Sequence, residues 1–348
     1  MKLLASSRMS VLVSALFFSC AAAAEAPSQP ATSEQATAKS QAAISEQVSI
    51  TEWTVPWEKS LPRDPWVGSQ GTIWFVGQNS DYVATLDPTN GEFKQYPLDD
   101  NAGPHTVIAD KRGAWYAGNR SQHIGLVNPE TGAIEKFMLP GEGPRDVHTM
   151  DFARNGDIWF TVQGGNQIGV LKAASKHIKL FDVPTKNARP YGLLVDKDDK
   201  PWVTLFGTNK LATIEDNKVV EITLPRAENR PRRLAITPDG MVWYVDYAEG
   251  HLGRYNPTTG AIDEWRTPAQ EKSRPYAVAA DKQGRVWFFE TGVHPNRLVS
   301  FDPASNKFSV PVELESGGGT VRHMVYDEKA KALWFGTDTN TIGRAQLP

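Results

Sequence analysis

The sequence predicts an all-β protein, a seven-bladed β-propeller closed by an N-terminal strand that completes the last blade. Three observations carry this. Trp74, Trp115, Trp159, Trp202, Trp243, Trp287 and Trp334 recur at spacings of 41, 44, 43, 41, 44 and 47 residues, the length of a four-stranded blade. Turns of the form Asp/Asn-Pro-x-x-Gly recur at 87–91, 128–132 and 256–260. A copy of the strand that ends each blade, Ile50 to Pro56, stands ahead of the first complete unit.

From the N-terminus, residues 1–24 read as a secretory signal: Lys2 and Arg8, an apolar run from Val11 to Phe18, and small residues Ala22 to Ala24 at a cleavage position. A periplasmic or secreted protein is therefore expected. Cys20 offers a lipoprotein alternative, although Phe17 and Phe18 fit that motif poorly. It is the sole cysteine, so the mature chain has no disulfide, thiol catalyst or cysteine metal site. Residues 25–47, rich in Ala, Ser, Gln and Thr with almost no large apolar side chain, read as a disordered linker. Residues 48–348 are left for the propeller.

The second unit shows the blade pattern. His105 to Ala109 is a first strand, Asp110 to Gly113 a turn, Trp115 to Ala117 a second strand, Ile124 to Val127 a third, and Ala133 to Leu139 a fourth. Outer strands end alike at Pro140, Pro184, Pro225 and Pro268. The seventh unit stops after its third strand, so Ile50 to Pro56 supplies its fourth and removes the free edge. Trp53, Trp57 and Trp66 are expected to pack around this seam.

The formal net charge of −3 becomes −5 once Lys2 and Arg8 leave, which argues against nucleic-acid binding, and no later segment is apolar enough for a membrane helix. A monomer with a small-molecule ligand at the channel mouth is expected. Aligning the units places Arg63, His105, His148, Tyr191, Arg232, Tyr276 and Arg322 at the seven first-strand starts, with Arg189, Arg230 and Arg274 close by. Three residues after each Trp stand Gly77, Gly118, Val162, Leu205, Asp246, Glu290 and Thr337, and Asn119 follows Gly118. Convergent polar residues at a channel mouth point to recognition of a small molecule, with guanidiniums for an anion and His or carboxylate for proton transfer. Strand alternation turns His323, next to Arg322, away from this mouth unless the register slips by one.

The segments "GDIWFTVQGGNQIGVL" at 156–171, "RVWFFE" at 285–290, "NTIGRA" at 340–345 and the "RPY" starts at 189–191 and 274–276 resemble the virginiamycin B lyase, or streptogramin lyase, family. The resemblance implies an antibiotic-resistance activity: metal-assisted elimination that opens a cyclic depsipeptide ester, with a His base, Glu residues and Mg²⁺. On that pattern His105 in "GPHTVIAD" and Glu290 in "WFFE" match, and His105, His148 and Glu290 become the candidate catalytic residues. Arg63, Tyr191, Arg232, Tyr276, Arg322, Asp246, Asn119 and Arg274 become the candidate ligand contacts. The sequence departs from the family where the sixth and seventh blades begin with Tyr276 and Arg322, and where Gly103 replaces a Glu. Those departures keep open a non-catalytic cell-envelope propeller that binds a ligand or an envelope protein.

Overall fold

Each repeat unit folds into one antiparallel sheet because its Trp-bearing second strand is buried on both faces. The computed structural model describes residues 48–348; the expected signal and linker lie outside the described residues. Seven sheets follow one another as blades. Their inner strands are Pro62–Val67, Pro104–Asp110, Val147–Phe152, Pro190–Val195, Pro231–Ile236, Pro275–Ala280 and Met324–Asp327. Each inner strand packs against the next and the seventh against the first, which closes the ring. Among the described residues no helix is long and apolar enough to cross a membrane.

The recurring sequence marks have a packing cause. In blades 1, 2, 3 and 5 the repeat Trp stacks on an aromatic residue of its own outer strand: Trp74 on Tyr96, Trp115 on Phe137, Trp159 on Phe181 and Trp243 on Trp265, with centroids 5.4–5.9 Å apart. The repeated Ile-Gly or Leu-Gly pair of the third strand is equally physical. Gly125, Gly169, Gly253 and Gly343 lie opposite Tyr116, Phe160, Tyr244 and Phe335. A Cβ on any of these glycines would fall 2.0–2.2 Å from the facing ring.

Ring closure is as the sequence predicts. Ser49–Thr54 pairs antiparallel with Thr341–Gln346, in register from Ser49 opposite Gln346 to Thr54 opposite Thr341. Trp53 stacks on Trp334 at 5.5 Å, so the displaced strand takes the role that outer strands take elsewhere. Asn340 locks the seam: its Oδ1 accepts from Ser60, and its Nδ2 donates to the carbonyls of Val55 and Trp57. The sixth blade differs from the pattern. Its outer strand is split into Lys307–Phe308 and Val312–Glu313, because Pro311 has no N–H to continue the ladder.

One backbone feature of the inner strands shapes the channel. In six blades the register with the second strand shifts just after the strand start, between Arg63 and Trp66, Pro104 and Val107, Val147 and Met150, Pro190 and Leu193, Pro231 and Leu234, and Pro275 and Val278. A bulge breaks strict alternation, so two successive side chains turn to the axis where a regular strand would turn one.

Candidate functional site

The seven residues aligned from sequence do converge at one end of the channel. His105 and His148 stack with ring centroids 3.6 Å apart, and His148 lies 4.0 Å from Tyr191. The Tyr191 and Tyr276 hydroxyls hydrogen-bond to each other across the fifth blade. The Arg232 guanidinium sits between, 3.8 Å from the Tyr276 ring centroid and 5.3 Å from that of Tyr191. These aromatic side chains fill the throat and are buried, whereas Arg232 and Arg322 are partly exposed and Arg274 is exposed. Arg63 donates to Gln78 Oε1 at 2.6 Å and keeps Nε and Nη2 without a hydrogen-bond partner; Arg322 is held by Asp338, with Nε donating to Oδ1 at 2.9 Å.

The bulges place a second layer directly beneath. His323, which stands just ahead of the seventh inner strand Met324–Asp327 where the register is regular, joins that layer, against the expectation from strand alternation. It faces the channel together with Asp64, Thr106, Thr149 and Arg233. Arg233 crosses from the fifth blade to donate to Asp64 Oδ2 at 2.9 Å and to Thr149 Oγ1 at 3.2 Å, while the Thr106 hydroxyl donates to Asp64 at 2.8 Å. Asp64 has a φ of 42°, which a non-glycine residue rarely adopts, and its ion pair holds it there. Gly192 fills the fourth blade's place in this layer, since a Cβ there would lie 2.9 Å from the Arg232 carbonyl oxygen. Trp66 also departs from expectation: it packs on Phe152 at 5.9 Å and donates to the Ala109 carbonyl, at the far end of the channel and away from the seam.

Burial and excess positive charge set the protonation states. Burial first, then Arg63, His148 and Arg233, push His105 well below the usual histidine range; burial, Arg233 and Arg63 do the same for His148. Both are neutral imidazoles at pH 7. Burial alone would raise the Tyr191 phenol, but Arg232, Arg63, Arg233 and the hydrogen bond from Tyr276 bring it down to about 8. Tyr276, buried and facing Tyr191, is pushed up to about 12 and keeps the shared proton. Burial, helped by Arg233 and Arg63 and opposed by Asp64, brings His323 down to about 4. Asp64 stays ionised, far below the usual carboxylate range, because the attraction of Arg233, His323 and Arg63 outweighs burial.

Other candidates lie outside this cluster. Glu290 is buried with Oε2 accepting from Arg297 Nε at 2.6 Å and Oε1 from the Ala269 N–H at 2.7 Å, and nothing brings it to His105. Asp246 is likewise committed, to Arg226 at 2.9 Å and to the N–H groups of Arg230 and Ala248. Asn119 spends its amide on the Val147 carbonyl at 2.9 Å.

The Mg²⁺ implied by the resemblance finds no fitting donor set among the described residues. Asp246, Glu249 and His251 bring ligand atoms within 4.8 Å of one another. The Arg226 guanidinium already occupies the charge between them, binding Asp246 at 2.9 Å, Glu249 at 2.7 Å and Glu264 at 2.9 Å. Among the described residues the throat offers one carboxylate, Asp64, paired with Arg233, and the imidazoles of His105, His148 and His323, beside several guanidiniums that repel a cation.

Sequence reasoning missed Asp64, Arg233, Phe206 and Tyr247. The last two flank Arg232, with ring centroids 4.8 and 4.2 Å from its guanidinium. Their signal was position: each directly follows the end of a second strand, at Leu205 and Asp246. Asp64 and Arg233 each directly follow a ring residue, which only a bulge makes meaningful.

The model of the virginiamycin B lyase family matches residues 31–214 and 196–345. The chain belongs to that family. Virginiamycin B lyase of Nocardia farcinica is 26% identical over 112 residues, 32% of this chain and 38% of that protein, so the match spans well under half of the curated relative. Among solved structures, a streptogramin B lyase is 24% identical, covering 88% of this chain and 99% of that one, with a TM-score of 0.79. A catalytically inactive histidine-to-alanine variant of Staphylococcus aureus virginiamycin B lyase with quinupristin is 22% identical, covering 87% and 100%, with a TM-score of 0.79. The extracellular domain of a one-component system from B. thetaiotaomicron is 17% identical, covering 84% of this chain and 39% of that one, with a TM-score of 0.67. At these identities the structural likeness establishes the shared propeller fold.

Proposed function

We propose that this virginiamycin B lyase-like propeller is an elimination lyase that opens a small ester, such as a depsipeptide, at the channel mouth with Tyr191 as base. Family membership supports the reaction class. The residue assignment rests on one observation, the Tyr191–Tyr276 hydroxyl pair with the Arg232 guanidinium over both rings. A phenolate is a stronger base than an imidazole whose proton affinity burial has suppressed, which favours Tyr191 over His105 and His148. The histidine pair then acts by position, His148 packing its tilted ring against Tyr191 with His105 behind it.

In this reading the Tyr191 oxygen takes the proton from the carbon adjacent to the C–O bond. The electron pair of that C–H bond becomes a C=C bond as the C–O bond breaks, and the ester leaves as a carboxylate. Arg232, with the unpartnered N–H groups of Arg63, receives that charge. Tyr191 returns its proton to solvent, and no water is consumed. The proposed place of action is the periplasm or the medium, resting on the signal-like N-terminus.

A second reading is a non-catalytic ligand-binding propeller. It is favoured by the commitment of Asp246 and Glu290 to Arg226 and Arg297 and by the burial of the throat. Mass spectrometry after incubation with quinupristin and simple depsipeptide esters separates the two. Elimination opens cyclic quinupristin to a linear product of unchanged mass, and splits an acyclic ester into an alkene and a carboxylic acid whose masses sum to that of the ester; both are absent in Tyr191→Phe. A product heavier by one water, or no product with any ester, would overturn the lyase reading, and calorimetric binding of unreacted ester would then support the second.

A further inference from the structure

Below the Arg233–Asp64 crossing the channel widens into a cavity of about 180 Å³ at the opposite end from the mouth. None of the seven mouth residues lines it. Its walls are mainly apolar and come from the lower halves of the inner strands, with Ile108, Met150, Leu193, Leu234, Val278 and Met324 all buried. The Asp151 carboxyl, which burial favours in its neutral form, is the one acidic group in the lining and further disfavours an anion. Trp66, held by its indole N–H on the Ala109 carbonyl, forms part of the outer rim. The inner end is polar. Arg233 and His323 line it, and each keeps one buried nitrogen without a hydrogen-bond partner, Nε of Arg233 and Nδ1 of His323.

We propose that this cavity is a second binding site, for a small uncharged aromatic or branched apolar molecule carrying one hydrogen-bond acceptor at its inner end. Size sets the first limit: a dry apolar cavity of roughly 150 Å³ accommodates benzene, so this one takes a single substituted ring. Charge sets the second. Arg233 is already neutralised by Asp64 at 2.9 Å, and an anionic ligand would compete with that buried pair, whereas a carbonyl oxygen would only satisfy an unused N–H. Apolar walls with a few placed polar groups are the ordinary make-up of a small-molecule site. The site is independent of the reaction proposed for the mouth.

The test is ligand-observed NMR on the whole protein with acetophenone, benzoate and ethylbenzene. Acetophenone should bind saturably, about tenfold more tightly than benzoate or ethylbenzene. Ala280→Phe and Ile236→Trp, two partly exposed positions of the cavity wall, should each abolish binding while the melting profile shows a folded propeller. Arg232→Leu at the mouth should leave it unchanged. Absence of saturable binding, equal affinity for the three probes, or binding that survives both filling variants and disappears in Arg232→Leu would overturn the proposal.

Discussion

Arg233 of the fifth blade and Asp64 of the first meet across the channel, Nη2 to Oδ2 at 2.9 Å, with both side chains almost sealed from solvent. This pair divides the channel into a cationic mouth and an apolar lower cavity. A buried pair adds little over a hydrophobic substitute, but loss of one partner strands the other charge. Asp64→Asn should therefore cost about 3–5 kcal/mol in urea unfolding. The double variant Asp64→Asn/Arg233→Met should cost clearly less than the sum of the two single changes.

His323 makes acid a destabilising condition. Its folded pKa of about 4 lies below the histidine value of 6.5, so the unfolded chain takes up a proton that the native state refuses. Its contribution is fully present above pH 6.5 and is lost as the pH falls toward 4. His105 and His148, also depressed, act in the same direction. Urea midpoints between pH 4.5 and pH 7.5 should rise with pH, and His323→Gln should flatten that slope by about one proton.

Asp151 acts with the opposite sign. Burial pushes its carboxyl up to about 7, against the N–H groups of Val195 and Phe152 that it accepts from. The native state thus keeps a proton that the unfolded chain releases near pH 4, and the benefit fades as the pH rises through 7. Asp151→Asn should leave stability near pH 4 little changed and raise it at pH 8, read as a higher melting temperature at pH 8 only.

The seam carries its own prediction. Trp53 stacks on Trp334 and belongs to the strand that covers the edge Thr341–Gln346. Trp53 is half-buried, so Trp53→Ala should cost about 2 kcal/mol in chemical unfolding, less than loss of a fully buried aromatic. Deletion of residues 48–56 should expose that edge and yield self-association in light scattering.

The blades were legible because their causes are local and repeated. The Trp spacing, the glycine under each facing ring and the Pro-Gly turns all report contacts within one blade. The seven mouth residues were legible for the same reason, since each strand start follows from a register fixed by its own Trp. What stayed hidden depends on backbone departure or on distant partners. The bulge that turns Asp64 and Arg233 inward follows no residue-level pattern, and His323 turns inward just ahead of a strand of regular register. Arg297 and Arg226, which occupy Glu290 and Asp246, became visible only when neighbouring strands were in place. Carboxylates that looked available in sequence are therefore committed in the fold.

The assignment of Tyr191 as a ready base is tested most directly by ultraviolet titration of the phenols, which needs no substrate. The wild-type protein should show one tyrosine ionising near pH 8. That step should vanish in Tyr191→Phe and move up by about one pH unit in Arg232→Leu, where the nearest cation is removed. Titration of every tyrosine at or above the ordinary phenol range, or a low step that persists in Tyr191→Phe, would contradict the account.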